Sequence, residues 1–384
     1  MPDNFQILRR SNNIYTALYR KLRPTSFADV VGQEHIIRTL TNQIELGRLS
    51  HAYLFCGTRG TGKTTCARVF ARAVNCEASV GGEACGVCRP CVDIAAGTSL
   101  DVIEIDAASN NGVDNIRDLR EEVRYPATGR YKVYIVDEVH MLSAGAFNAL
   151  LKTLEEPPPH VIFILATTDP QKIPATIHSR LMRFDFHRAS QEQMTEALGR
   201  FMEGESIAVT SDALAYVARL SDGSWRDALS ILDRCAALYY GEEITLAGVL
   251  EVTGSVDDGV FFALIESLMG RDAQKCLEII EEMSAKGRDF GQFVEELLHH
   301  LRNMLMEAAK AKDDNYHDII GLIGIFSELS RGMRHAGGHG RLMLEVACIE
   351  HAAGPRVVEV MAVAEPQMAK THPKQQAKPP EEKP

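Results

Sequence analysis

Short apolar runs alternate with amphipathic stretches through the first half of the chain. Four runs have the length and composition of buried strands, and they lie at residues 52–57, 102–105, 132–136 and 161–168. Apolar residues at helical spacing lie between them, at 63–75, 113–123 and 146–154. Strands that alternate with helices predict a parallel sheet covered by helices on both faces, which is an α/β fold.

After about residue 189 the pattern becomes helical throughout. Several short helices are predicted over 191–252, a boundary falls near Gly254, and helical spacing returns at 260–285, 290–311, 319–331 and 341–351. We therefore predict an α/β domain at 14–189, a small helical domain at 190–253 and an all-helical domain at 254–362. Residues 1–13 are predicted to be a loose leader. Residues 363–384 are rich in Pro, Lys, Gln and Glu, and are predicted to be disordered.

The length, composition and net charge of the chain limit the classes of protein to which it can belong. The 384 residues suffice for two or three domains, and an apolar fraction of 45% is ordinary for a globular protein. No run of 18 apolar residues and no apolar N-terminal signal is present, so we expect a cytoplasmic protein without a membrane span. The net charge of −11 argues against a DNA-binding surface over the whole protein, although a local basic patch stays possible.

A glycine-rich loop follows the first predicted strand. Its residues match G-x-x-x-x-G-K-[ST] without a mismatch, and they are Gly57, Thr58, Arg59, Gly60, Thr61, Gly62, Lys63 and Thr64, followed by Thr65. The backbone N–H groups of such a loop surround phosphate oxygens, Lys63 would reach the β and γ phosphates, and the Thr64 hydroxyl would bind Mg²⁺. The strand before the loop and the helix after it provide the context that this motif requires, so we predict an ATP site.

Two carboxylates, Asp137 and Glu138, end the third predicted strand. Acidic residues often follow strands without a catalytic role. After an intact phosphate loop, however, Asp137 is predicted to hold Mg²⁺ and Glu138 to orient and polarise the attacking water. This arrangement favours ATP hydrolysis over phosphoryl transfer to a small acceptor.

Four of the nine cysteines are clustered within 16 residues: Cys76, Cys85, Cys88 and Cys91. Four thiolates form the ligand set of a closed structural Zn²⁺ site. An iron–sulfur cluster or unliganded cysteines are the alternatives, but no redox partner of such a cluster is evident. The other five cysteines lie among apolar neighbours and are predicted to be small buried hydrophobic residues.

With these motifs in place, the chain resembles the tau/gamma subunits of the bacterial DNA polymerase III clamp loader, which are AAA+ ATPases. The matching segments are 19–24, 27–34, 51–65, 104–109, 137–142, 148–158 and 166–174. The cysteine insert directly after the loop helix is the most discriminating feature, because most other AAA+ proteins lack it. The resemblance is dense from residue 14 to 232 and looser over the C-terminal helices.

The resemblance implies a RecA-like AAA+ domain with a zinc module at 76–91, a helical lid and an all-helical collar that joins other clamp-loader subunits in a hetero-oligomeric ring. In this family, ATP drives the loading of a ring-shaped sliding clamp onto primed DNA. The polymerase core is a further implied partner, although no polymerase active site is expected in this chain. Because the chain stops at Pro384, it resembles the short form of the family or a truncated chain.

The resemblance also implies roles for individual residues. Tyr19, Val30 and Val31 would flank the adenine, and Thr168 would sense the γ phosphate. Arg226 would be the second sensor, on the lid. Arg180 would be an arginine finger that reaches the ATP of a neighbouring subunit, and such a finger is worth about 10³–10⁵ in rate.

Three features depart from the family pattern. Leu181 follows Arg180 where the family commonly has cysteine, so we expect local repacking and a finger loop that sits differently. Trp225 is bulkier than expected beside Arg226, and is predicted to be a packing residue of the lid. The leader before Tyr19 has no counterpart in the family pattern.

Three other functions are weighed against a clamp-loader motor. A scaffold subunit with a relic site would be expected to have lost some of the nucleotide-site residues. Another AAA+ motor, such as a branch-migration helicase, does not account for the cysteine insert, and a P-loop small-molecule kinase does not need Arg180. A basic stretch that could touch DNA contains interleaved acids, so it is predicted to be a solvated helix face; its members are Arg117, Arg120, Arg124, Arg130 and Lys132.

Overall fold

The computed structural model of the chain describes residues 15–254, 258–311, 316–333 and 339–354. These residues belong to two compact units, which are divided between Ser255 and Val256. The leader predicted at 1–13 and the tail predicted at 363–384 lie outside the described residues.

A five-stranded parallel sheet forms the centre of the first unit, with the strand order β2-β3-β4-β1-β5. The strands are β1 (Ala52–Cys56), β2 (Val102–Asp106), β3 (Lys132–Asp137), β4 (Val161–Thr167) and β5 (Met182–Asp185). The four predicted strands are confirmed to within one residue: β1 and β4 end just before Gly57 and Thr168, and β2 and β3 extend through Asp106 and Asp137. The pattern did not predict β5, because this edge strand buries Phe184 alone.

Helices cover both faces of the sheet, as predicted. The helices of this part of the first unit are α1 (Leu18–Lys21), α2 (Glu34–Leu46), α3 (Lys63–Val74), α4 (Arg89–Ala96), α5 (Val113–Glu122), α6 (Ala144–Glu155) and α7 (Ala175–His178). Successive strand side chains alternate between two cores, so that Tyr53 packs on the side of α2 and α3 and Leu54 packs on the side of α5 and α6. Short 3₁₀ turns lie at Phe27–Asp29, Val139–Met141 and Pro170–Lys172.

Four helices complete the first unit and confirm the helical pattern predicted for 191–252. They are α8 (Gln191–Gly204), α9 (Ser211–Leu220), α10 (Trp225–Leu238) and α11 (Leu246–Thr253). The Ser224 side chain caps α10 by accepting a hydrogen bond from the backbone N–H of Asp227. Leu18 of α1 is buried in the core of these helices, so the N-terminal segment packs on them.

In its described residues, the second unit consists of helices and short turns and contains no strand. Its helices are α12 (Asp258–Met269), α13 (Ala273–Ala285), α14 (Phe290–Ala311), α15 (Tyr316–Met333) and α16 (Gly340–Ala353). The pattern at 260–285 suggested continuous helical spacing, but the helix is interrupted there. Arg271 has a φ of 56° and the Asp272 side chain caps α13, because the core side chains of α12 and α13 face each other only if the chain turns. No helix in the described part of the chain is both long and apolar enough to cross a membrane.

Candidate active site

The phosphate loop leaves β1 at the carboxyl edge of the sheet, where ligands of open α/β sheets bind. Gly62 precedes α3 with a φ of 97°, a conformation that glycine adopts without a steric penalty. The Lys63 side chain is 5% exposed, and its Nζ donates to the carbonyl oxygens of Gly57 at 2.8 Å and Thr58 at 2.9 Å. The ammonium group therefore lies inside the loop, where the phosphates of a nucleotide would be held.

Two carboxylates complete the charge pattern around Lys63. Burial lowers the pKa of Lys63, and the negative charges of Glu138 and Asp137 oppose that effect. The Thr64 hydroxyl donates to Asp137 Oδ2 at 2.7 Å. Oxygen ligands of this kind suit Mg²⁺, so Thr64 and Asp137 form a fitting pair for the ion that accompanies ATP.

Glu138 occupies a left-handed backbone conformation with a φ of 47°, which is unusual for a residue other than glycine. Its Oε2 accepts hydrogen bonds from the Thr168 backbone N–H at 3.2 Å and from the Thr168 hydroxyl at 3.0 Å. The structure thus joins two residues that the sequence separates by 30 positions. Thr168 contacts the predicted catalytic carboxylate directly.

His140 is a site residue that sequence reasoning left without a role. Its Nδ1 lies 3.4 Å from Glu138 Oε2 and 3.0 Å from Thr167 Oγ1. The sequence feature that could have indicated this role is the position of the histidine, three residues after Asp137 and inside the segment 137–142 that resembles the clamp-loader family. Its partner Thr167 comes from β4, so this contact is visible only in the folded chain.

One cavity collects most of the predicted nucleotide contacts. Its lining includes Tyr19, Val30, Val31, Arg59, Gly60, Thr61, Gly62, Lys63, Thr64, Thr65, Asp137, Glu138, Trp225 and Arg226. Gly57 and Thr58 contribute through the carbonyl oxygens that bind Lys63. The chain therefore brings the predicted adenine side, phosphate side and lid side together.

The lid helix α10 begins directly against the phosphate loop. The Trp225 backbone N–H donates to the Gly60 carbonyl at 3.1 Å. Gly60 has a φ of 79°, and a Cβ atom at this position would collide with the Ser224 hydroxyl. The Trp225 ring meets Phe201 edge to face at a centroid distance of 6.3 Å. Trp225 thus packs in the lid, as predicted, and also lines the cavity.

Arg180 does not line this cavity. It follows α7, and its Nη2 lies 2.9 Å from Glu155 Oε1. A finger that completes a neighbour's site would not contact the nucleotide of its own chain, so this placement is compatible with the predicted role. Leu181 packs, partly buried, against the core on the α5 and α6 face of the sheet.

The four clustered cysteines converge at the end of α3. Their Sγ atoms all lie within 4.8 Å of one another, and Cys76 and Cys88 Sγ are 4.0 Å apart. Four thiolates around one tetrahedral zinc, with Zn–S near 2.3 Å, have sulfurs about 3.8 Å apart. The cluster therefore has the donor set and spacing of a structural zinc site.

Hydrogen bonds to sulfur favour the thiolate form of Cys85, whereas burial opposes the thiolate form of Cys91. The backbone N–H groups of Val87 and Cys88 lower the pKa of Cys85 to about 6, whereas burial raises the pKa of Cys91 to about 12.

The five other cysteines are buried, as predicted: Cys56, Cys66, Cys235, Cys276 and Cys348.

The cysteine module supports the adenine side of the cavity. Glu83, between Cys76 and Cys85, accepts hydrogen bonds from the backbone N–H groups of Phe27 at 3.1 Å and Ala28 at 3.0 Å. The turn at Phe27–Asp29 leads directly into Val30 and Val31. The module therefore holds the segment that carries two predicted adenine contacts.

Metal removal is expected to destabilise the first unit. Cys88→Ser should reduce zinc, measured by elemental analysis, from about one ion per chain toward zero, because three thiolates hold the ion less well. We expect the melting temperature to fall by on the order of 5–10 °C. Chelator should lower the melting temperature of the wild type but not that of Cys88→Ser. Wild-type protein that is stable and contains no zinc would contradict the assignment.

Two members of the basic stretch form ion pairs with acidic residues. Arg117 pairs with Asp114 at 2.9 Å, and Lys132 Nζ lies 3.3 Å from Glu122. Arg117 lies exposed on α5, in agreement with the prediction of a solvated helix face. The prediction was wrong for Lys132, which is 6% exposed at the start of β3, and for Arg130, which lies outside any helix, because the stretch runs past the end of α5 into the next strand.

Three protein-family models match consecutive parts of the chain. They are described as the delta subunit of DNA polymerase III, at residues 32–190, the ATPase lid domain of DNA polymerase III clamp loader subunits, at 193–242, and domain III of DNA polymerase III subunits gamma and tau, at 244–319.

Curated relatives match the same region. The chain is 49% identical to DNA polymerase III subunit tau of Bacillus subtilis over 76% of this chain and 52% of that protein. For subunit tau of Escherichia coli the identity is 47%, over 76% and 45%. For subunit gamma of Buchnera aphidicola it is 40%, over 75% and 80%. The chain thus spans about half the length of the tau proteins.

Among solved structures, the RuvB Holliday junction branch migration motor of Thermotoga maritima aligns at 18% identity with a TM-score of 0.46, over 64% of this chain and 79% of that chain.

Proposed function

The chain belongs to the family of gamma and tau subunits of DNA polymerase III, and on this premise we propose that it is an ATP-hydrolysing subunit of a clamp loader that places a sliding clamp on primed DNA. The observation that carries the proposal is the assembly of Lys63, the Thr64–Asp137 pair and the Glu138–Thr168 pair at one edge of the sheet. We further propose a cytoplasmic location, an AAA+ domain at 14–189, a lid at 190–253 and an oligomerising collar at 254–362.

Each group at the site has a distinct role in the proposed reaction. The Lys63 ammonium neutralises phosphate charge, and the N-terminus of α3 adds its dipole. Thr64 and Asp137 would hold Mg²⁺, which would supply charge neutralisation on the phosphate oxygens. Glu138 orients the attacking water by accepting its hydrogen bond.

The Glu138–Thr168 contact gives a physical basis for sensing the nucleotide. Two donors of Thr168 hold Glu138 Oε2, so a γ phosphate that attracts the Thr168 hydroxyl would release part of this carboxylate for water. Arg226, on α10, would report the same phosphate to the lid, and Tyr19, Val30 and Val31 would hold the adenine.

The proposed reaction also needs the other subunits of the clamp loader. Other clamp-loader subunits would form the ring, and Arg180 would act on a neighbour's ATP after it leaves Glu155. The sliding clamp, primed DNA and the polymerase core are the further proposed partners. The cysteine module would hold structural Zn²⁺ and support the Val30 segment.

Steady-state ATP hydrolysis tests the proposal, with the purified chain alone and then with the loader partners, clamp and primed DNA. Strong stimulation by clamp and primed DNA supports a clamp-loading motor. Hydrolysis that ignores both of them favours another AAA+ motor, and absence of hydrolysis favours a scaffold subunit.

Lys63→Ala should weaken ATP binding by about a hundredfold or more and abolish the stimulated hydrolysis. The variant removes the buried ammonium that is proposed to make charge-assisted hydrogen bonds to the phosphates. Lys152→Ala, at an exposed position of α6, is the matched control and should behave as the wild type. Equal ATP binding by Lys63→Ala and wild type would contradict the assigned site.

A further inference from the structure

A second cavity, of about 700 Å³, adjoins the nucleotide cavity and is lined mainly by arginine. Its seven lining residues are Tyr19, Arg20, Arg23, Arg59, Arg68, Arg226 and Ser230. They come from α1 and the turn after it, the phosphate loop, α3 and α10, which all belong to the first unit. We call this feature the arginine cavity.

Positive charge in the arginine cavity is poorly compensated. Arg68 Nε donates to Glu104 Oε2 at 2.7 Å, and Arg20 Nε donates to the Tyr19 hydroxyl at 3.0 Å. Among the described residues, the side chains of the other three arginines of the cavity have no hydrogen bond or ion pair; these are Arg23, Arg59 and Arg226. Within the described residues, Glu104 is therefore the one carboxylate that forms an ion pair with a guanidinium of this cavity.

Arg23 is the arginine of this cavity whose pKa responds to the charges of three others. Burial lowers the pKa of its guanidinium, the positive charges of Arg68, Arg226 and Arg20 lower it further, and Glu104 alone raises it. Arg23 is half-buried, whereas Arg20, Arg59, Arg68 and Arg226 are exposed to solvent. A half-buried cation among like charges is unfavourable, and an anionic ligand would offset this repulsion.

The arginine cavity is next to the nucleotide cavity and shares part of its lining. Tyr19, Arg23, Arg59 and Arg226 line both cavities. Arg226 also lies close enough to Lys63 for its charge to lower the pKa of Lys63. A bound nucleotide would thus have its phosphates next to these guanidinium groups.

We propose that the arginine cavity is a second phosphate-binding subsite, which takes a phosphate group additional to those of ATP and carried by the nucleotide in the adjoining cavity. Guanidinium groups bind phosphate through paired N–H donors, and a phosphate group can carry two negative charges where a carboxylate carries one. The additional phosphate can extend the 5′ chain or be attached to the 3′ oxygen of the ribose. The expected ligand class is therefore a nucleotide with four or more phosphates.

Competition against a fluorescent ADP analogue tests this inference on the full chain. The competitors are ADP, ATP, adenosine 5′-tetraphosphate and adenosine 5′-triphosphate 3′-monophosphate, and the last two separate the two positions of the additional phosphate. We expect one of these two to bind about tenfold more tightly than ATP, because each charge-assisted hydrogen bond contributes on that order. The preference should weaken as salt is added.

Arg23→Gln is the informative variant, because Arg23 has no ion-pair partner within the described residues to be left unpaired. It should remove most of the preference over ATP, whereas Arg38→Ala, an exposed arginine of α2, should retain it. Arg23→Lys should retain part of it, and thermal melting checks that the variants are folded.

The inference rests on nucleotide binding at the phosphate loop, and the ADP arm distinguishes the two failures. ADP binding without a preference for either tetraphosphate overturns the subsite alone. Absence of ADP binding overturns both the subsite and the proposed nucleotide site. A preference that Arg23→Gln leaves intact also overturns the assignment to the arginine cavity.

Discussion

Replacement of Arg180 by alanine is expected to reduce ATP hydrolysis by the assembled complex by about 10³–10⁵-fold. Arg180 does not line the cavity of its own chain, so in the proposed arginine-finger role its charge would stabilise the transition state in a neighbouring subunit. The isolated Arg180→Ala chain should therefore bind ATP as tightly as the isolated wild-type chain does. Single-turnover hydrolysis in the complex, together with ATP binding to the isolated chain, measures the two effects.

Glu155→Gln is the matched control for Arg180→Ala. It removes the charge that pairs with Arg180 at 2.9 Å but leaves the guanidinium in place, so hydrolysis in the complex should change less than tenfold. Equal losses in both variants would mean that Arg180 acts by holding α6 and α7 together. A normal rate in Arg180→Ala would remove the arginine-finger assignment.

Replacement of Glu138 by glutamine is expected to reduce the rate of hydrolysis by about 10²–10⁴-fold while ATP binding is retained. Glutamine keeps the size of the side chain and can still accept from Thr168, but it lacks the charge that polarises water. The Lys63 contacts to the loop carbonyls do not involve this residue, so the phosphate site should stay intact. Burst-phase kinetics would separate the chemical step from product release.

Thr168→Val provides a graded comparison. It removes the hydroxyl donor to Glu138 and keeps the backbone donor, so we expect a smaller loss, on the order of tenfold. Asp212→Asn, on the surface of α9, should have the wild-type rate. Unchanged hydrolysis in Glu138→Gln would show that another group orients the water.

The predictable parts of the fold are the elements whose own burial gives a distinct pattern of apolar residues in the sequence. The central strands β1, β3 and β4 are buried on both sides, and their continuous apolar runs are therefore distinct in the sequence. The edge strand β5 buries one residue, and its pattern resembles that of a loop. The break between α12 and α13 was missed because both helices contribute residues to one core, so the apolar spacing continues across Arg271.

The sequence by itself determined the phosphate loop, the Asp137–Glu138 pair and the cysteine cluster. In each of these the chemistry depends on residues at short spacing, so a local pattern is sufficient to identify it. The tertiary structure alone decided the contact of Thr168 and His140 with Glu138, the placement of Arg180 outside its own cavity and the convergence of five arginines from α1, the loop, α3 and α10. These features join side chains that are distant in the sequence, and their proximity follows from strand order and helix packing, which no local spacing records.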